Sequence, residues 1–255
     1  KNKIMSCEAK KLNPIAINRT LTLLKSRKYK VFTKPYMLNI IGIRNADTDP
    51  DKFDDFIYVI WKDDNGKWNG KKYNATTDPS TRYLKQGGFK KGSNTGTAIL
   101  PQGQYLDKWH IRSHGSTGYK ALGQYKEGEN KKLCVYRDYD RNSTLNFDVD
   151  SKTCGHYGIN IHRAKAGSAD DGKGNTTTIG AYSAGCQVFQ NYYCFQEFMD
   201  MAYKQQGLYG DSFSYTLIDK SLQKKFLVKR LFYTTSVVAA LSLVGYGLYL
   251  LNKNK

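Results

Sequence analysis

Gly158-Ile-Asn-Ile-His-Arg-Ala164 opens the most informative segment of this chain, residues 158–187, which is called the decisive stretch below. A polar glycine-rich loop over residues 165–180 follows, and Ala181-Tyr-Ser-Ala-Gly-Cys-Gln187 ends the segment. The first part is a short apolar run that reaches His162, and this pattern predicts a strand. The second part predicts a tight turn that ends at Cys186, because small residues surround its glycine. We expect the strand and the turn to bring the imidazole and the thiol together.

A helical pattern follows the cysteine at once, with apolar residues at three- and four-residue steps from Val188 to Ala202. Gly207 marks the expected end of this helix. Cys186 would then lie at a helix N-terminus, where unpaired N–H groups and the positive end of the dipole favour a thiolate. His162 could take the thiol proton. The alternative is that Cys186 is a small buried apolar residue and His162 an ordinary hydrogen-bonded group.

The same residues resemble the L,D-transpeptidase catalytic domain of bacterial cell-wall enzymes. That family carries a strand-ending His-Gly, a variable loop, and Ser-His-Gly-Cys followed by an apolar residue and Arg. Ile161-His162 is similar to the first element, and Ser183-Ala-Gly-Cys186 is similar to the second. Ala184 stands where the family has its second histidine, and Gln187-Val188 replaces the apolar-Arg pair. The chain therefore resembles a divergent branch, close to uncharacterised phage and Bacteroidetes-type proteins, over roughly Tyr29 to Gln205.

The resemblance implies a role for each residue of the site. Cys186 attacks an amide carbonyl, and His162 is the general base that later protonates the leaving amine. Ser183 and Gly185 shape the turn and the oxyanion site. Arg163 binds a carboxylate of a peptidoglycan stem peptide, because a guanidinium pairs with a carboxylate through two hydrogen bonds.

All four histidines of the chain lie in one stretch, from His110 to His162. A zinc hydrolase is one alternative, but the chain has no H-E-x-x-H pattern, and the residues around His110 predict a strand and a turn rather than a helix. We expect His114 on the substrate side of the site, where its imidazole would compensate for the histidine that is missing at Ala184.

Asp138, Asp140 and Asn142 place oxygen atoms at alternate positions, and this spacing resembles the first half of a calcium loop. The sixth position is Ser143 rather than glycine, and no Glu stands at the twelfth. The alternative is a polar hairpin loop held by Asx turns. The spacing is compatible with a calcium ion but is equally that of such a loop, and the expected chemistry requires no cofactor.

The composition indicates acidic partners. The 255 residues include 40 Lys and Arg against 22 Asp and Glu, which gives a net charge of +18. Such a balance favours binding to an anionic cell wall, anionic lipid or nucleic acid. The basic residues are spread along the chain, and we find neither zinc-finger spacing nor an RNA-binding aromatic motif. We therefore rank nucleic acid behind peptidoglycan and membrane as a partner.

The five cysteines are an odd number without metal-binding spacing, so at least one thiol is unpaired. A Cys134–Cys154 bridge stays open as an alternative. Residues 1–12 show no secretory signal, and we therefore expect a mostly reduced chain that is made in a cytosol.

Short apolar segments between turn residues predict a mainly β domain with a few helices. The segments 56–61 and 68–76 predict paired strands around an Asn65-Gly66 turn, residues 29–33 predict another strand, and Asn13-Pro14 predicts a helix start. We expect a flexible basic arm over 1–12, a β-rich catalytic-like domain over 13–207 in which 13–50 is a candidate separate module, and a linker with a basic juxtamembrane segment over 208–230.

Residues 231–251 contain no charged residue and are rich in Val, Leu and Ala. About 20 apolar residues span a bilayer as a helix, so we expect one C-terminal transmembrane helix. Lys and Arg are denser before this span than after it, and the positive-inside bias then favours the large domain on the cytoplasmic face.

A wall enzyme on that face would fit a bacteriophage whose virion contains a membrane and assembles with other virion proteins in the cytosol. The first hypothesis is therefore a membrane-anchored, virion-associated cysteine peptidase or transpeptidase-like protein that processes peptidoglycan stem peptides. The second is a catalytically inactive structural or wall-binding virion membrane protein with a retained enzyme fold. A third is a basic membrane protein that tethers nucleic acid.

Overall fold

The structure is a computed structural model, and it describes residues 7, 9–45, 50–92, 94–115, 118–167 and 170–221. The described residues up to Asp219 form one compact unit. The predicted transmembrane span over 231–251 lies outside the described residues. In the part that the structure describes, no helix is long and apolar enough to cross a membrane.

The described residues contain twelve strands and three α-helices, and the mainly β prediction is confirmed. The strands are β1 (Lys10–Lys11), β2 (Asn39–Arg44), β3 (Asp55–Lys62), β4 (Trp68–Thr76), β5 (Thr97–Ile99), β6 (Gly103–Ser113), β7 (Lys120–Gln124), β8 (Leu133–Asp138), β9 (Thr153–Gly155), β10 (Ile161–Arg163), β11 (Gln187–Phe189) and β12 (Phe213–Asp219). The helices are α1 (Pro14–Ser26), α2 (Thr81–Gln86) and α3 (Tyr192–Tyr209).

Eight of the strands form a sheet that closes on itself. Their order is β4, β11, β10, β7, β6, β12, β2 and β3, and β3 pairs back with β4. β1 also pairs with β4, and a smaller sheet contains β5, β8 and β9. Closure matters because an open edge would present unpaired backbone N–H and C=O groups. β10 and β11 are consequently held on both sides by neighbouring strands.

Local sequence signals explain several of these elements, and the predictions based on them are confirmed. Gly66 adopts φ 73° in the turn between β3 and β4, and Asp63 Oδ1 accepts from the N–H of Lys67 at 2.9 Å. Asn13 caps α1, because its Oδ1 accepts from the N–H of Ala16 at 2.8 Å. The strands on either side of Gly66 pair in antiparallel orientation, as expected, from Lys62 opposite Trp68 to Asp55 opposite Ala75.

Large aromatic side chains fill the interior and place α3 against the strands of the decisive stretch. Phe189, at the end of β11, is fully buried. Its ring centroid lies 4.8 Å from that of Phe198 and 5.5 Å from that of Phe195, both in α3. Burying such side chains contributes on the order of 2 kcal/mol each. This packing fixes the strand that follows Cys186.

Four of the five cysteines form disulfides, so the prediction of a mostly reduced chain is wrong. Cys7 is bonded to Cys194 in α3, and Cys134 is bonded to Cys154 across the β8–β9 pair. The first bridge, together with β1, attaches part of the predicted flexible arm over 1–12 to the compact unit. The sequence left the Cys134–Cys154 bridge undecided, because the spacing of cysteines alone does not determine which of them are bonded.

The sequence also misplaced elements around the ends of the domain. The helix expected to begin at Cys186 is preceded by β11, and α3 begins at Tyr192 and passes through Gly207 to Tyr209. The residues 29–33 form no strand in the described chain. β12 lies within the predicted 208–230 linker, yet it pairs with β2 and β6 inside the closed sheet.

The physical reasons for these errors differ. The apolar side chains from Val188 to Ala202 have helical spacing, but the first two residues of this pattern pair with β4 and β10, and tertiary pairing overrides the local pattern. β12 has apolar Phe213, Tyr215 and Leu217 at alternate positions, which is the signal of a strand.

Candidate active site

Two short parallel strands hold both ends of the decisive stretch side by side. His162 in β10 pairs with Val188 in β11. Two residues earlier, Cys186 lies beside Asn160, and the N–H of Gln187 donates to the Asn160 carbonyl oxygen at 2.9 Å. The pairing therefore fixes where the thiol and the imidazole lie along the two strands.

Cys186 carries the one free thiol among the described residues. Its Sγ accepts from the N–H of Asn160 at 3.4 Å, and the thiol donates to the Gly158 carbonyl oxygen at 3.7 Å. In the part of the chain that the structure describes, no hydrogen bond joins the thiol to His162. The imidazole belongs to a residue two positions further along the strand pair, and a strand rises about 3.3 Å per residue. The two groups are therefore offset along the strands.

The turn before Cys186 is held from inside the protein. Ser183 is fully buried, and its hydroxyl shares its one proton between the carbonyl oxygens of Asp78 at 2.7 Å and Cys186 at 2.8 Å. Gly185 adopts φ 118°, and a Cβ there would lie 2.4 Å from the Ala98 carbonyl oxygen, so the turn requires glycine. The N–H of Gly185 donates to Ser183 Oγ at 3.3 Å. These bonds assign both residues to shaping the turn.

Gln187, one of the departures from the family pattern, reinforces the same turn. Its side chain is fully buried. Its amide nitrogen donates to the carbonyl oxygens of Gly185 at 3.2 Å and Thr77 at 3.3 Å, and its Oε1 accepts from the Tyr215 hydroxyl at 2.7 Å. Because every polar group of this side chain has a partner, the substitution leaves the turn well supported.

Two imidazoles stack in the wall of the site. The β6–β7 hairpin carries His114 just after β6, and β7 pairs with β10, which carries His162. The two ring centroids are 4.1 Å apart, with the ring planes at 25°. His162 Nδ1 lies 2.8 Å from the Arg163 carbonyl oxygen and 3.3 Å from the Tyr119 hydroxyl. His114 Nδ1 lies 3.2 Å from Asn160 Nδ2.

Burial sets the protonation states of these groups. Burial, and then the neighbouring His114, lower the pKa of His162 to about 3. Burial and the guanidinium groups of Arg112 and Arg163 also lower the pKa of His114. Burial raises the pKa of the Cys186 thiol to about 11. The site at pH 7 is therefore a neutral thiol near two neutral imidazoles, and the expected helix N-terminus that would favour a thiolate is replaced by β11.

The site opens into a cavity of about 890 Å³ that Cys186, His114 and His162 line together. Ala184 lies in the same wall, where the family has a histidine. The wall also contains five basic residues, and none of its described residues carries a carboxylate. The basic residues are Lys90, Arg112, Arg137, Arg163 and Lys165. A cavity lined by charges of one sign attracts ligands of the opposite sign.

Arg163, the predicted carboxylate-binding residue, is positioned by aromatic rings. Its guanidinium carbon lies 3.9 Å from the centroid of the Tyr119 ring and 5.2 Å from that of Tyr192. Its Nη1 donates to the Ala164 carbonyl oxygen at 3.0 Å, and its buried Nε has no hydrogen-bond partner among the described residues. Stacking on the rings holds the guanidinium at the wall of the cavity.

The predicted calcium loop is held by hydrogen bonds of its own. Asp138 accepts from the N–H groups of Asp140 at 3.2 Å and Asn146 at 2.8 Å. Asn142 Oδ1 accepts from the N–H of Thr144 at 2.7 Å. These are the Asx turns of the alternative interpretation. Among the described residues, no group of three or more His, Cys, Asp or Glu side chains is placed to hold a metal ion.

Three residues of the site were missed in the sequence: Asn160, Tyr119 and Arg112. Asn160 had a usable signal, because it precedes His162 by two residues in a strand-like run and alternate residues share a face. The sequence carries no comparable signal for Tyr119 and Arg112, since their position in the site depends on how the β6–β7 hairpin pairs with β10.

Comparison of the chain with protein-family models, with curated proteins and with solved structures gives no match. The similarity to the L,D-transpeptidase domain therefore rests on the residues of the decisive stretch alone.

Proposed function

We propose that the protein is a cysteine peptidase or transpeptidase-like enzyme that acts on peptidoglycan stem peptides. The observation that carries the proposal is the position of Cys186, whose free thiol lines a large cavity together with two neutral imidazoles and five basic side chains. The other four cysteines are in disulfides, so the chain keeps one thiol for chemistry and places it in this cavity.

The proposed reaction begins when Cys186 Sγ attacks an amide carbonyl carbon and the thiol proton passes to His162 Nε2. The C=O electron pair moves to oxygen. The tetrahedral intermediate then re-forms C=O and breaks the C–N bond, while the imidazolium of His162 protonates the leaving amine. Water, in a peptidase, or a second amine, in a transpeptidase, attacks the thioester and releases the thiol.

The neutral resting state dictates when the first proton moves. A thiol with a pKa of about 11 and an imidazole with a pKa of about 3 do not form an ion pair before substrate binds. Proton transfer therefore accompanies the attack on the carbonyl. His162 has to approach Sγ for this step, and catalytic hydrogen bonds that are long in a free enzyme commonly shorten in the substrate complex.

The charge of the cavity supports an acidic peptide as the substrate. Stem peptides carry free carboxylates, and the basic side chains of the wall would attract them, although Lys165 is already paired with Asp170 at 2.9 Å. Arg163 is the side chain we assign to bind one of these carboxylates, since its guanidinium is held next to the catalytic cavity by the Tyr119 ring.

We also propose that residues 231–251 anchor the protein in the membrane of a bacteriophage virion. The support is the uncharged run of 21 residues flanked by basic residues. Protease treatment of sealed membranes from cells that produce the full chain tests this placement. Digestion of the large domain from the cytoplasmic side is expected, and digestion from the periplasmic side alone would contradict it.

The activity is tested with the full chain in detergent micelles and a synthetic stem tetrapeptide that carries its natural carboxylates. Mass spectrometry is expected to detect an acyl thioester on Cys186 and a cleaved or transferred product. Cys186→Ala is expected to give neither, and His162→Asn is expected to slow both by about 10²-fold or more. A folded wild-type protein that forms no adduct with any stem peptide would contradict the proposal.

The second candidate is a wall-binding protein without catalytic activity. The observation that favours it is that no hydrogen bond joins Cys186 to His162 in the described residues and that the thiol is protonated at pH 7. Sedimentation with purified peptidoglycan distinguishes the two. Equal binding by wild type and Cys186→Ala, without any product from wild type, would favour this candidate.

A further inference from the structure

The guanidinium of Arg137 is fixed at the wall of the cavity by neutral groups. Arg137 lies in β8, and its guanidinium carbon is 4.2 Å from the centroid of the Tyr157 ring. Its Nε donates to Thr153 Oγ1 at 2.9 Å, and its Nη1 donates to the Gly96 carbonyl oxygen at 3.4 Å. Among the described residues, no ion pair includes Arg137 and its Nη2 has no acceptor. A guanidinium that is held in this way can bind a carboxylate of a ligand.

The thiol of Cys186 contacts the segment of chain that follows Tyr157. It donates to the Gly158 carbonyl oxygen at 3.7 Å, and Sγ accepts from the N–H of Asn160 at 3.4 Å. Gly158 is the next residue after Tyr157, whose ring stacks on Arg137. The guanidinium of Arg137 is therefore associated with the residue just before those that hold the thiol.

Arg163 lies further along the same segment, on the other side of the thiol in chain order. It follows Asn160 by three residues, and three residues of extended chain span about 10 Å. Its guanidinium carbon is 3.9 Å from the centroid of the Tyr119 ring, and the Tyr119 hydroxyl is 3.3 Å from His162 Nδ1. Along this segment, the thiol of Cys186 thus lies between the two arginines, and both arginines line its cavity.

From this arrangement we propose that the cavity selects a peptide with a carboxylate on each side of the scissile amide, and that Arg137 binds the second of these carboxylates. The inference rests on the proposed acyl-transfer function, in which His162 protonates the leaving amine. The leaving group then lies on the His162 side of the thiol, and its carboxylate binds Arg163. The acyl part of the substrate lies on the other side, and its carboxylate binds Arg137.

The charge of the wall explains why both carboxylates are needed. The described part of the wall contains no carboxylate, and the ion pair it makes is that of Lys165 with Asp170 at 2.9 Å. A ligand that fills the cavity removes water from Arg137 and Arg163 alike. Desolvating a charged group without a counter-charge costs free energy. A ligand with a single carboxylate would leave one of the two guanidinium groups desolvated and unpaired.

Binding is measured by calorimetry with the full chain in detergent micelles, carrying Cys186→Ala so that no reaction follows. Three versions of one stem tetrapeptide are compared. The first has one free carboxylate on each side of the scissile amide, and the other two have either the acyl-side or the leaving-side carboxylate converted to an amide. Each amide is expected to weaken binding by about 30-fold, because a charge-assisted hydrogen bond is lost. The protein is the same in all three titrations, so its folding does not affect the comparison.

Arginine variants assign each carboxylate to its residue. Added to Cys186→Ala, Arg137→Gln is expected to weaken binding of the unmodified peptide by about 30-fold and to abolish the effect of the acyl-side amide, because changes to the two partners of one interaction are not additive. Arg163→Gln is expected to abolish the effect of the leaving-side amide instead. Arg19→Gln removes the same charge from an exposed position in α1 and should retain both effects.

The possible results separate this inference from the function on which it rests. Equal binding of the unmodified peptide and the acyl-side amide, or an acyl-side effect that persists in Arg137→Gln, would overturn the inference and leave the proposed acyl transfer in place. Undetectable binding of all three peptides would also overturn it. If both carboxylates contribute as expected and wild type forms no acyl thioester, the preference for two carboxylates is supported and the proposed acyl transfer is overturned.

Discussion

We expect iodoacetamide to alkylate Cys186 roughly 30-fold more slowly at pH 7 than it alkylates a free cysteine. With a pKa of about 11, about one thiol in ten thousand is ionised at pH 7, whereas a free thiol with a pKa of about 8.5 is about 3% ionised. The thiolate fraction is thus lower by roughly 300-fold. A thiolate of higher pKa is more nucleophilic, which offsets roughly tenfold of this difference.

The assay measures the alkylation rate of the full chain between pH 6 and 10, with the adduct located by peptide mapping. Cys186→Ala is the control, because the other four cysteines are in disulfides and should not react. The rate is expected to rise tenfold per pH step of one through the whole range. A plateau below pH 8, or a rate at pH 7 equal to that of free cysteine, would show a stabilised thiolate and refute the argument from burial.

Three further predictions concern stability, measured by urea unfolding. Replacing both cysteines of the Cys7–Cys194 bridge by serine should lower the unfolding free energy by about 5 kcal/mol, and the same change at Cys134–Cys154 should lower it by about 3 kcal/mol. The two bridges close loops of 187 and 20 residues, and a longer loop loses more chain entropy when it is closed. Equal losses would contradict this loop-entropy argument. Gly185→Ala should lower the unfolding free energy by at least about 2 kcal/mol more than Gly66→Ala does. Both glycines have a positive φ, but only at position 185 would the added Cβ lie within 4 Å of other backbone atoms. Similar losses for the two variants would refute this steric argument. The pKa of His162 is lowered to about 3 in the folded protein, so the unfolded chain binds a proton at this residue more readily than the folded chain does. The unfolding free energy of wild type should therefore fall by about 3 kcal/mol relative to that of His162→Asn as the pH falls from 6.5 to 4. Parallel curves of unfolding free energy against pH would exclude a buried neutral imidazole.

Local signals were sufficient wherever neighbouring residues decide the structure. The Asn65-Gly66 turn and the alternation on both sides of it predicted β3 and β4, because a hairpin is stabilised within its own segment. The N-cap Asn13 predicted α1 for the same reason. β11 could not be predicted in this way, since its three residues become a strand only through pairing with β4 and β10, which lie far away in the chain.

The same distinction applies to the candidate site: some of its residues are recognisable from local sequence, and others depend on contacts between distant segments. His162 and Cys186 were identified because one motif contains both, and His114 was placed near them by its order in the chain. The link between these residues is Asn160, which contacts both Cys186 and His114 and whose side chain is oriented by the backbone N–H of Gln124 in a different strand. The lowered pKa of His162 and the raised pKa of Cys186 also depend on burial, which follows from the closed sheet and has no signature within the motif.

A free thiol within the same chain as two disulfides creates a risk of disulfide scrambling, and the raised pKa of Cys186 reduces this risk. Exchange between a thiol and a disulfide requires a thiolate as the attacking group. In the folded protein the thiol of Cys186 is almost entirely protonated, so its attack on Cys134–Cys154 or Cys7–Cys194 is slow. In the unfolded chain the thiol returns to its ordinary pKa, and mispairing becomes a hazard of folding. Once folded, the protein can retain both its cross-links and its reactive cysteine.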